Sequence, residues 1–125
     1  MQYLLDTHAL IWWLANDPSL DPNAKAEIAS PNNLIFVSAA STWEISIKKA
    51  IGKLDSPEDI MKQIAKNKFK SLPINIEETL TIETLPPHHQ DPFDRILIAQ
   101  AQVFDLTIIT RDRQFSLYDL NLLKC

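Results

Sequence analysis

Short apolar runs alternate with helix-start signals along the whole chain, and this alternation constrains the fold more than any other feature. Tyr3–Leu5, Leu34–Val37 and Leu106–Thr110 are rich in Leu, Ile, Val, Phe and Thr, as buried strands are. Asp-Pro pairs at residues 21–22 and 91–92 spell an N-cap followed by a proline in the first helical turn. Strands that alternate with helices form a parallel sheet covered by helices on both faces. We therefore predict a single α/β domain of 125 residues.

The remaining elements follow from similar signals. Gly52 is the only glycine, and it predicts the end of a helix that starts at Ser38 or Ser41 and runs to Ile51. Pro73 indicates that the weak strand 72–74 lies at an edge of the sheet. The other predicted helices span 8–14, 21–29, 56–68, 75–84 and 91–104, and a last edge strand is predicted at 122–123.

The composition excludes several classes of protein. With 46% hydrophobic and 22% charged residues, the chain is neither disordered nor fibrous. A single glycine excludes glycine-rich phosphate loops, and a single cysteine excludes an internal disulfide. No apolar run reaches the roughly 20 residues of a membrane span, and no secretory signal is recognisable. We therefore expect a cytoplasmic protein without membrane contact, although its net charge of −4 argues weakly against nucleic-acid partners.

Four acidic residues occupy positions from which they can reach one edge of the sheet. In open parallel sheets, ligands bind beyond the carboxyl ends of the strands. Asp6 ends the first strand, Asp112 closely follows the last long one, and Glu44 and Asp94 lie in neighbouring helices. Carboxylates among apolar neighbours repel one another and are costly to bury unless a cation pairs with them. Oxygen ligands without a cysteine cluster favour Mg²⁺ or Mn²⁺ over Zn²⁺.

Most of these acids also have a purely structural explanation. Residues 41–44 spell STWE, a capping box, and residues 91–94 spell DPFD, an acidic version of the same motif. Asp112 can cap a last turn. Asp6 gains from capping only if a helix starts immediately after it. Accidental convergence of all four acids is the less favoured interpretation, so we treat them as one candidate site.

Three further features have weaker interpretations. For His88 and His89 we favour a role in the loop over metal ligation, because adjacent side chains point in different directions. Trp12 and Trp13 cannot both face the sheet, so we expect one of them at a subunit or partner interface. Cys125 is expected to lie at a frayed terminus and is a poor candidate nucleophile.

Four stretches of the sequence together resemble the motifs of the PIN-domain family. They are, in order, LLDTH at 4–8, STWEI at 41–45, HQDPFDR at 89–95 and TRD at 110–112. The resemblance covers the chain from end to end, and DPFDRILIAQA at 91–101 is its most specific part. Within the family, the chain is similar to the VapC-like toxins of bacterial and archaeal toxin–antitoxin pairs.

The resemblance implies an α/β/α sandwich with a short, mostly parallel central sheet, and the activity of a metal-dependent endoribonuclease. Carried over by position, it assigns the catalytic and metal-binding acids to Asp6, Glu44, Asp94 and Asp112, with Thr110 as a small polar neighbour. Asp6 and Asp94 are expected as the principal ligands of one or two Mg²⁺ or Mn²⁺ ions.

The resemblance also implies partners. RNA is the expected substrate, and a small antitoxin protein is expected to place its tail in the active-site groove. The chain is expected to form a homodimer. Arg95, Arg111 and Lys48, with Thr110, are expected to contact the substrate, the basic residues through its phosphate groups. Asp91 belongs to the motif and is expected to cap the helix.

Two alternatives from other classes remain open on the residues alone. A receiver-like phosphoacceptor domain has this length and alternation. It requires an acidic pair after the first strand and a lysine at the end of the last main strand, where this chain has Asp6-Thr7-His8 and Thr110-Arg111. A non-catalytic protein-interaction module is also compatible, but it leaves the four acids unexplained.

Overall fold

Five short strands form the centre of the fold in the computed structural model, which describes residues 1–54 and 59–125. They are β1 (Gln2–Leu5), β2 (Leu34–Ser38), β3 (Lys70–Leu72), β4 (Thr107–Thr110) and β5 (Asn121–Lys124). Their order across the sheet is β3-β2-β1-β4-β5, and every neighbouring pair is parallel. This confirms the predicted α/β fold with a parallel central sheet.

The central strand β1 is apolar because both of its faces are covered. Tyr3, Leu4 and Leu5 are at most 4% exposed. Leu5 packs in a core cluster with Leu10, whereas Leu4 packs in a second cluster with Leu97. Strands of parallel sheets that are buried on both faces have continuous hydrophobic sequences rather than alternating ones. Strand β1 therefore packs against helices on both faces of the sheet.

Six α-helices and two 3₁₀ helices lie within the described residues. The first 3₁₀ helix is Ile82–Thr84 and the second is Arg113–Leu117. The α-helices are α1 (Thr7–Leu14), α2 (Pro22–Ala29), α3 (Ala39–Ala50), α4 (Ile60–Lys66), α5 (Ile76–Thr81) and α6 (Pro92–Phe104).

Both Asp-Pro signals mark the helix starts that they predict. Asp21 accepts the backbone N–H of Asn23 at the start of α2, and Asp91 caps α6 in the same way. Gly52 follows α3 with a φ of +71°, the left-handed conformation typical of residues that end helices. Capping hydrogen bonds and the left-handed conformation of Gly52 therefore set these helix boundaries.

The structure selects the earlier of the two predicted starts of α3 and moves one predicted helix end. The hydroxyl of Ser38 accepts the N–H of Ala40 at 3.0 Å, so α3 begins at Ala39 and Ser41 lies inside the helix. The STWE segment is therefore not a capping box. Helix α4 ends at Lys66 rather than at Lys68, because Lys68 adopts a φ of +59° before β3. The predicted start of this helix at Ser56 lies outside the described residues.

Some expectations about single residues were also wrong or stay untested. Cys125 is not frayed: it is 3% exposed, and its N–H donates to the carbonyl of Thr110. Trp13 donates to Asn67 and packs on Phe69, so it has partners within the chain, and the interface expected at one tryptophan stays a prediction. None of the helices in residues 1–54 and 59–125 is long and apolar enough to cross a membrane.

The strand order identifies where a ligand should bind. The chain proceeds from β1 to β2 and β3 on one side, and then crosses to β4 on the other side of β1. In open α/β sheets, ligands bind at such a switch point, beyond the carboxyl ends of the strands. Asp6 directly follows β1, and Asp112 follows β4. The topology therefore places these two acids beside the same crevice.

Substitution Gly52→Ala should lower the free energy of unfolding by about 1 kcal/mol, because a side chain disfavours a positive φ. A Cβ atom at this position meets no atom within 4 Å, so steric contact adds nothing. Urea denaturation of both proteins measures the difference. Gly52→Asn is the matched control and should cost less, since asparagine tolerates this conformation. Equal stability of all three proteins would contradict the assignment.

Candidate active site

Asp6 is a buried carboxylate held between the central strand and its neighbour. Its Oδ1 accepts the N–H of Ala9 at 2.8 Å, which caps α1, and its Oδ2 accepts the hydroxyl of Thr110 at 2.5 Å. The residue is only 4% exposed. The sequence predicts a capping role for Asp6 only if a helix starts immediately after it. Helix α1 does start at the next residue, so Asp6 has this structural role. One carboxylate oxygen of Asp6 therefore caps α1, and the other is held by Thr110 of β4.

Glu44 is buried in the second turn of α3. Its Oε2 accepts from Nζ of Lys48 at 2.7 Å, one turn later on the same helix. This hydrogen bond raises the pKa of Lys48, and the Asp91 and Asp94 carboxylates add to the effect. Lys48 is therefore a cation beside the acidic residues of α3 and α6, and its side chain is still 43% exposed.

Asp91 caps α6, whereas the carboxylate of Asp94 turns away from the cap. Asp91 Oδ1 accepts the N–H groups of Phe93 at 2.9 Å and Asp94 at 3.0 Å. In a capping box, Asp94 would accept the N–H of Asp91. That N–H instead donates to Nδ1 of His89 at 3.2 Å, and Asp94 Oδ2 lies 3.0 Å from Nε2 of the same ring. The capping-box explanation of Asp94 is therefore wrong.

Asp112 caps the second 3₁₀ helix and contacts the same histidine. Its Oδ1 accepts the N–H of Gln114 at 2.9 Å, and its Oδ2 lies 2.8 Å from Nε2 of His89. Its own N–H donates to the hydroxyl of Thr110 at 3.0 Å. Since that hydroxyl donates to Asp6, Thr110 connects the acid after β1 with the acid after β4.

Burial and the charges of neighbouring carboxylates together perturb the pKa of Asp94. Burial, and then the negative charge of Asp91, raise the pKa of Asp94 to about 7. The charges of Asp6 and Glu44 raise it further. Two acids that are distant in the sequence, Asp6 and Glu44, therefore act on this carboxylate together with the neighbouring Asp91. This confinement of like charge is the condition that a bound cation relieves.

Burial also raises the pKa of Asp6, and the charge of Asp112 adds to this increase. The hydrogen bonds from Thr110 and Ala9 act in the opposite direction, because they stabilise the ionised form.

The donor set of this region fits a divalent cation. His89, Asp94 and Asp112 each offer one ligand atom, and these atoms lie within 4.8 Å of one another. Asp6 and Glu44 lie close enough to raise the pKa of Asp94. Hard carboxylate oxygens in this number suit Mg²⁺ or Mn²⁺.

Arg95 does not have the free guanidinium that a phosphate contact requires. Its Nη1 donates to the carbonyls of Pro86 and His89, each at 3.1 Å, and its Nη2 donates to those of Ile82 at 3.1 Å and Leu85 at 3.3 Å. Arg95 therefore fastens the loop that carries His89 onto α6. The expected contact with substrate is not supported by this placement.

Two other residues expected to bind substrate also have structural partners. Thr110 is 4% exposed and positions Asp6. Arg111 donates to the carbonyls of Cys125 and Ser19, and its guanidinium lies 4.4 Å from the ring centre of Trp12. Of the four residues expected to contact the substrate, Lys48 is thus the one that has an exposed side chain beside the acidic residues.

The sequence interpretation missed the position of His89 in the site. It places His89 in a loop, which is correct, but the residue is 7% exposed and lies against two of the four acids. Tyr118, which fixes this loop, was missed as well: its hydroxyl accepts the N–H of His89 at 2.9 Å and donates to Pro86 at 2.6 Å. The available signal was the place of His89 at the start of the HQDPFDR motif.

The chain also matches a known protein family. The sequence profile described as PIN domain matches residues 3–120. No curated protein sequence matches the chain significantly.

Solved structures share the fold at low sequence identity. A chain of VapBC2 from Rickettsia felis, crystallised with a DNA fragment from its promoter, matches with a TM-score of 0.74 at 18% identity, over 99% of this chain and 98% of that chain. A chain of DNA-bound VapBC from Salmonella typhimurium matches with a TM-score of 0.70 at 15% identity, over 99% and 98%. A toxin–antitoxin complex from Klebsiella pneumoniae gives 0.63 at 22% identity, over 97% and 95%.

Replacement of Asp94 by Asn should stabilise the metal-free protein at alkaline pH and have little effect below about pH 4. An acid with a pKa of about 7 when folded and about 3.9 when unfolded holds its proton more tightly in the folded state. Stability of the parent therefore falls as the pH rises through this window. At pH 8 the variant should be more stable than the parent by up to about 4 kcal/mol, measured by thermal melts in chelator.

Asp105→Asn is the matched control for this experiment. Asp105 follows α6 at the opposite end from Asp94, in a left-handed conformation that asparagine tolerates. The control should follow the pH dependence of the parent. An Asp94→Asn protein that is less stable than the parent at every pH would show that Asp94 acts as a stabilising charge at the helix start.

Arg95→Lys should destabilise the fold by roughly 2 kcal/mol, because lysine carries a charge but has no planar fork to reach four carbonyls. Urea denaturation measures the loss. A phosphate-binding role alone predicts unchanged stability, so a protein as stable as the parent would restore the original interpretation. Arg113→Lys, on the second 3₁₀ helix, controls for the generic effect of the exchange.

Proposed function

Because the chain belongs to the PIN-domain family, we propose that it is a divalent-metal-dependent endoribonuclease and the toxin of a toxin–antitoxin pair. PIN domains are nucleases, so the family already indicates a hydrolase that acts on phosphodiester bonds. The choice of RNA, the metal and the antitoxin are the parts that this proposal adds.

The observation that carries the proposal is the raised pKa of Asp94. A carboxylate whose pKa is raised to about 7 by burial and by the crowding of other acids is costly to keep ionised, and such perturbed groups cluster at functional sites. The crowding occurs at the switch point of the sheet, where α/β proteins bind ligands. A site built to hold a cation explains both facts at once.

Asp6 and Asp94 are proposed as the principal metal ligands, with Asp112 as a third. Glu44 is proposed to bind the ion or to orient the attacking water. A divalent ion held here supplies Lewis acidity, which lowers the pKa of a bound water and stabilises the charge that develops on the phosphate. Thr110 keeps Asp6 in place through its hydrogen bond.

The protein's own residues then account for binding of the phosphodiester. Lys48 presents an exposed ammonium beside Glu44, and it can hold a non-bridging phosphate oxygen through charge. The metal also explains how a chain with a net charge of −4 approaches a polyanion, since the ion reverses the local sign of charge. RNA as the substrate agrees with the expected cytoplasmic location.

The structure disfavours the receiver-like alternative. Receiver domains of the flavodoxin-like class have the strand order 2-1-3-4-5. The order here is 3-2-1-4-5, and Thr110 and Arg111 stand where the required lysine would be. A non-catalytic interaction module still has to explain four acids at one edge of the sheet, and the family match offers no support for it.

A small antitoxin is the proposed partner. The structures from Rickettsia felis and Salmonella typhimurium are described as VapBC bound to DNA, and the one from Klebsiella pneumoniae as a toxin–antitoxin complex. We propose by analogy that this chain forms such a complex. Co-purification with the product of an adjacent small gene, followed by loss of nuclease activity in the complex, tests this analogy.

A homodimer is supported by an exposed apolar stripe on α3. Trp43, Ile47 and Ile51 are spaced four residues apart, which places them on one face of the helix, and they are 56%, 40% and 60% exposed. Such a stripe on a soluble domain is typical of a protein interface.

Purified protein should cleave single-stranded RNA with Mg²⁺ or Mn²⁺, and chelator should abolish cleavage. Asp6→Asn and Asp94→Asn should each lower activity by at least about 100-fold, because each removes a charged ligand from a site that works by electrostatic stabilisation. Calorimetric titration with Mn²⁺ should show the same loss in binding. Asp105→Asn should behave like the parent. Cleavage that persists in chelator would overturn the proposal.

Light scattering should give a mass of about twice 14.3 kDa for the parent. Ile47→Asp should convert it to a monomer, because a charge in an apolar interface is costly to bury. Ile76→Asp changes another exposed isoleucine, 77% exposed on α5, and should leave the dimer intact. A parent that is monomeric at all concentrations would contradict the homodimer.

A further inference from the structure

His89 bridges two acids of the candidate site through a single ring nitrogen. Its Nε2 lies 2.8 Å from Oδ2 of Asp112 and 3.0 Å from Oδ2 of Asp94. Histidine nitrogen and carboxylate oxygens at this spacing have the arrangement of a metal-ligand set. The question is whether Nε2 binds the ion or holds the carboxylates that do.

The other ring nitrogen decides between these roles. A histidine that binds a metal through one nitrogen carries its proton on the other, and donates it to a carboxylate, carbonyl or water. Here Nδ1 of His89 faces a donor, the N–H of Asp91, at 3.2 Å. Nδ1 must therefore be the unprotonated acceptor, and the neutral ring carries its proton on Nε2. An Nε2 that carries a proton has no lone pair for a metal.

The chain fixes His89 so firmly that the ring has little freedom to exchange these roles. The N–H of His89 donates to Tyr118 at 2.9 Å, and its carbonyl accepts from Arg95 at 3.1 Å. The ring packs edge-on against Phe115 with a centroid distance of 5.5 Å, and the residue is 7% exposed. Backbone and ring are thus anchored by contacts outside the acidic cluster.

We propose that His89 is a positioning residue whose Nε2–H bridges Asp94 and Asp112 and holds the two carboxylates at metal-binding separation. The inference rests on the proposed metal site. The bridge offsets the repulsion between two carboxylates, and it leaves Oδ1 of Asp94 and the remaining lone pairs of the bridged oxygens for the ion. The ion is then bound by oxygen alone, which favours Mg²⁺ and Mn²⁺ over metals that prefer imidazole.

Two substitutions separate the bridge from a generic structural role. Glutamine can place its amide N–H near the position of Nε2, so His89→Gln keeps a donor toward both acids. Asparagine is shorter, and its amide reaches only the position of Nδ1. Calorimetric titration with Mn²⁺ should show affinity weakened by about 10- to 100-fold in His89→Asn, as for other residues that orient metal ligands. His89→Gln should retain most of the affinity.

Ring-nitrogen NMR reports the tautomer directly and without activity. Two-bond ¹H–¹⁵N correlation spectra of the parent should show His89 protonated at Nε2 and unprotonated at Nδ1, both in chelator and with saturating Mg²⁺. Electron-spin-echo spectra of the Mn²⁺-loaded parent should lack coupling to an imidazole nitrogen. An unprotonated Nε2 with the proton on Nδ1, or nitrogen coupling to Mn²⁺, would make His89 a ligand and overturn the proposal.

The outcomes also separate this inference from the function on which it rests. Mn²⁺ binding by the parent that is unchanged in both variants would refute the bridge and leave the metal site intact. A parent that binds neither Mn²⁺ nor Mg²⁺ would refute the proposed function itself, and the bridge with it. Thermal melts in chelator establish that each variant is folded before its affinity is compared.

Discussion

The hydrogen bond between the hydroxyl of Thr110 and the carboxylate of Asp6 is the contact on which the site depends. It joins the carboxyl ends of β1 and β4 at the point where the strand order reverses. The same hydroxyl accepts the N–H of Asp112, so one oxygen sets the relation between two acids. A carboxylate that is 4% exposed requires such partners, because an unpaired charge is costly to bury. Here the hydrogen bonds of the fold hold the acids in place.

The other acids of the site lie close together despite the electrostatic repulsion between their carboxylates. Asp94 is held where burial and the charges of Asp91, Asp6 and Glu44 raise its pKa to about 7. Such an arrangement persists only if the backbone around it is fixed by other contacts. Arg95 provides them by donating to four carbonyls of residues 82–89. The HQDPFDR motif thus uses its arginine, which was expected to contact phosphate, to keep the acids and His89 in position.

Much of the fold was predictable because its signals are local. The Asp-Pro pairs mark helix starts through hydrogen bonds that span two or three residues, and Gly52 marks a helix end through its own φ. The STWE segment shows the limit of this reasoning. Ser41 has the right identity for a cap, but Ser38 starts the helix one turn earlier at the end of β2, so Glu44 is free to pair with Lys48. The sequence offers two candidate N-cap residues, Ser38 and Ser41, and the one at the end of β2, Ser38, caps the helix.

By itself, the sequence determined the alternation of strands and helices, the acids that follow the strands, and the motif that indicates the PIN-domain family. These follow from residue identity and short spacing, which the chain carries whatever its tertiary structure. Only the folded structure decided which groups meet. His89 and Asp112 are 23 residues apart, and Asp6 and Thr110 are 104 residues apart. The physical reason is that hydrogen bonds and charge repulsion depend on distance in space, and the parallel pairing of β1 with β4 sets that distance.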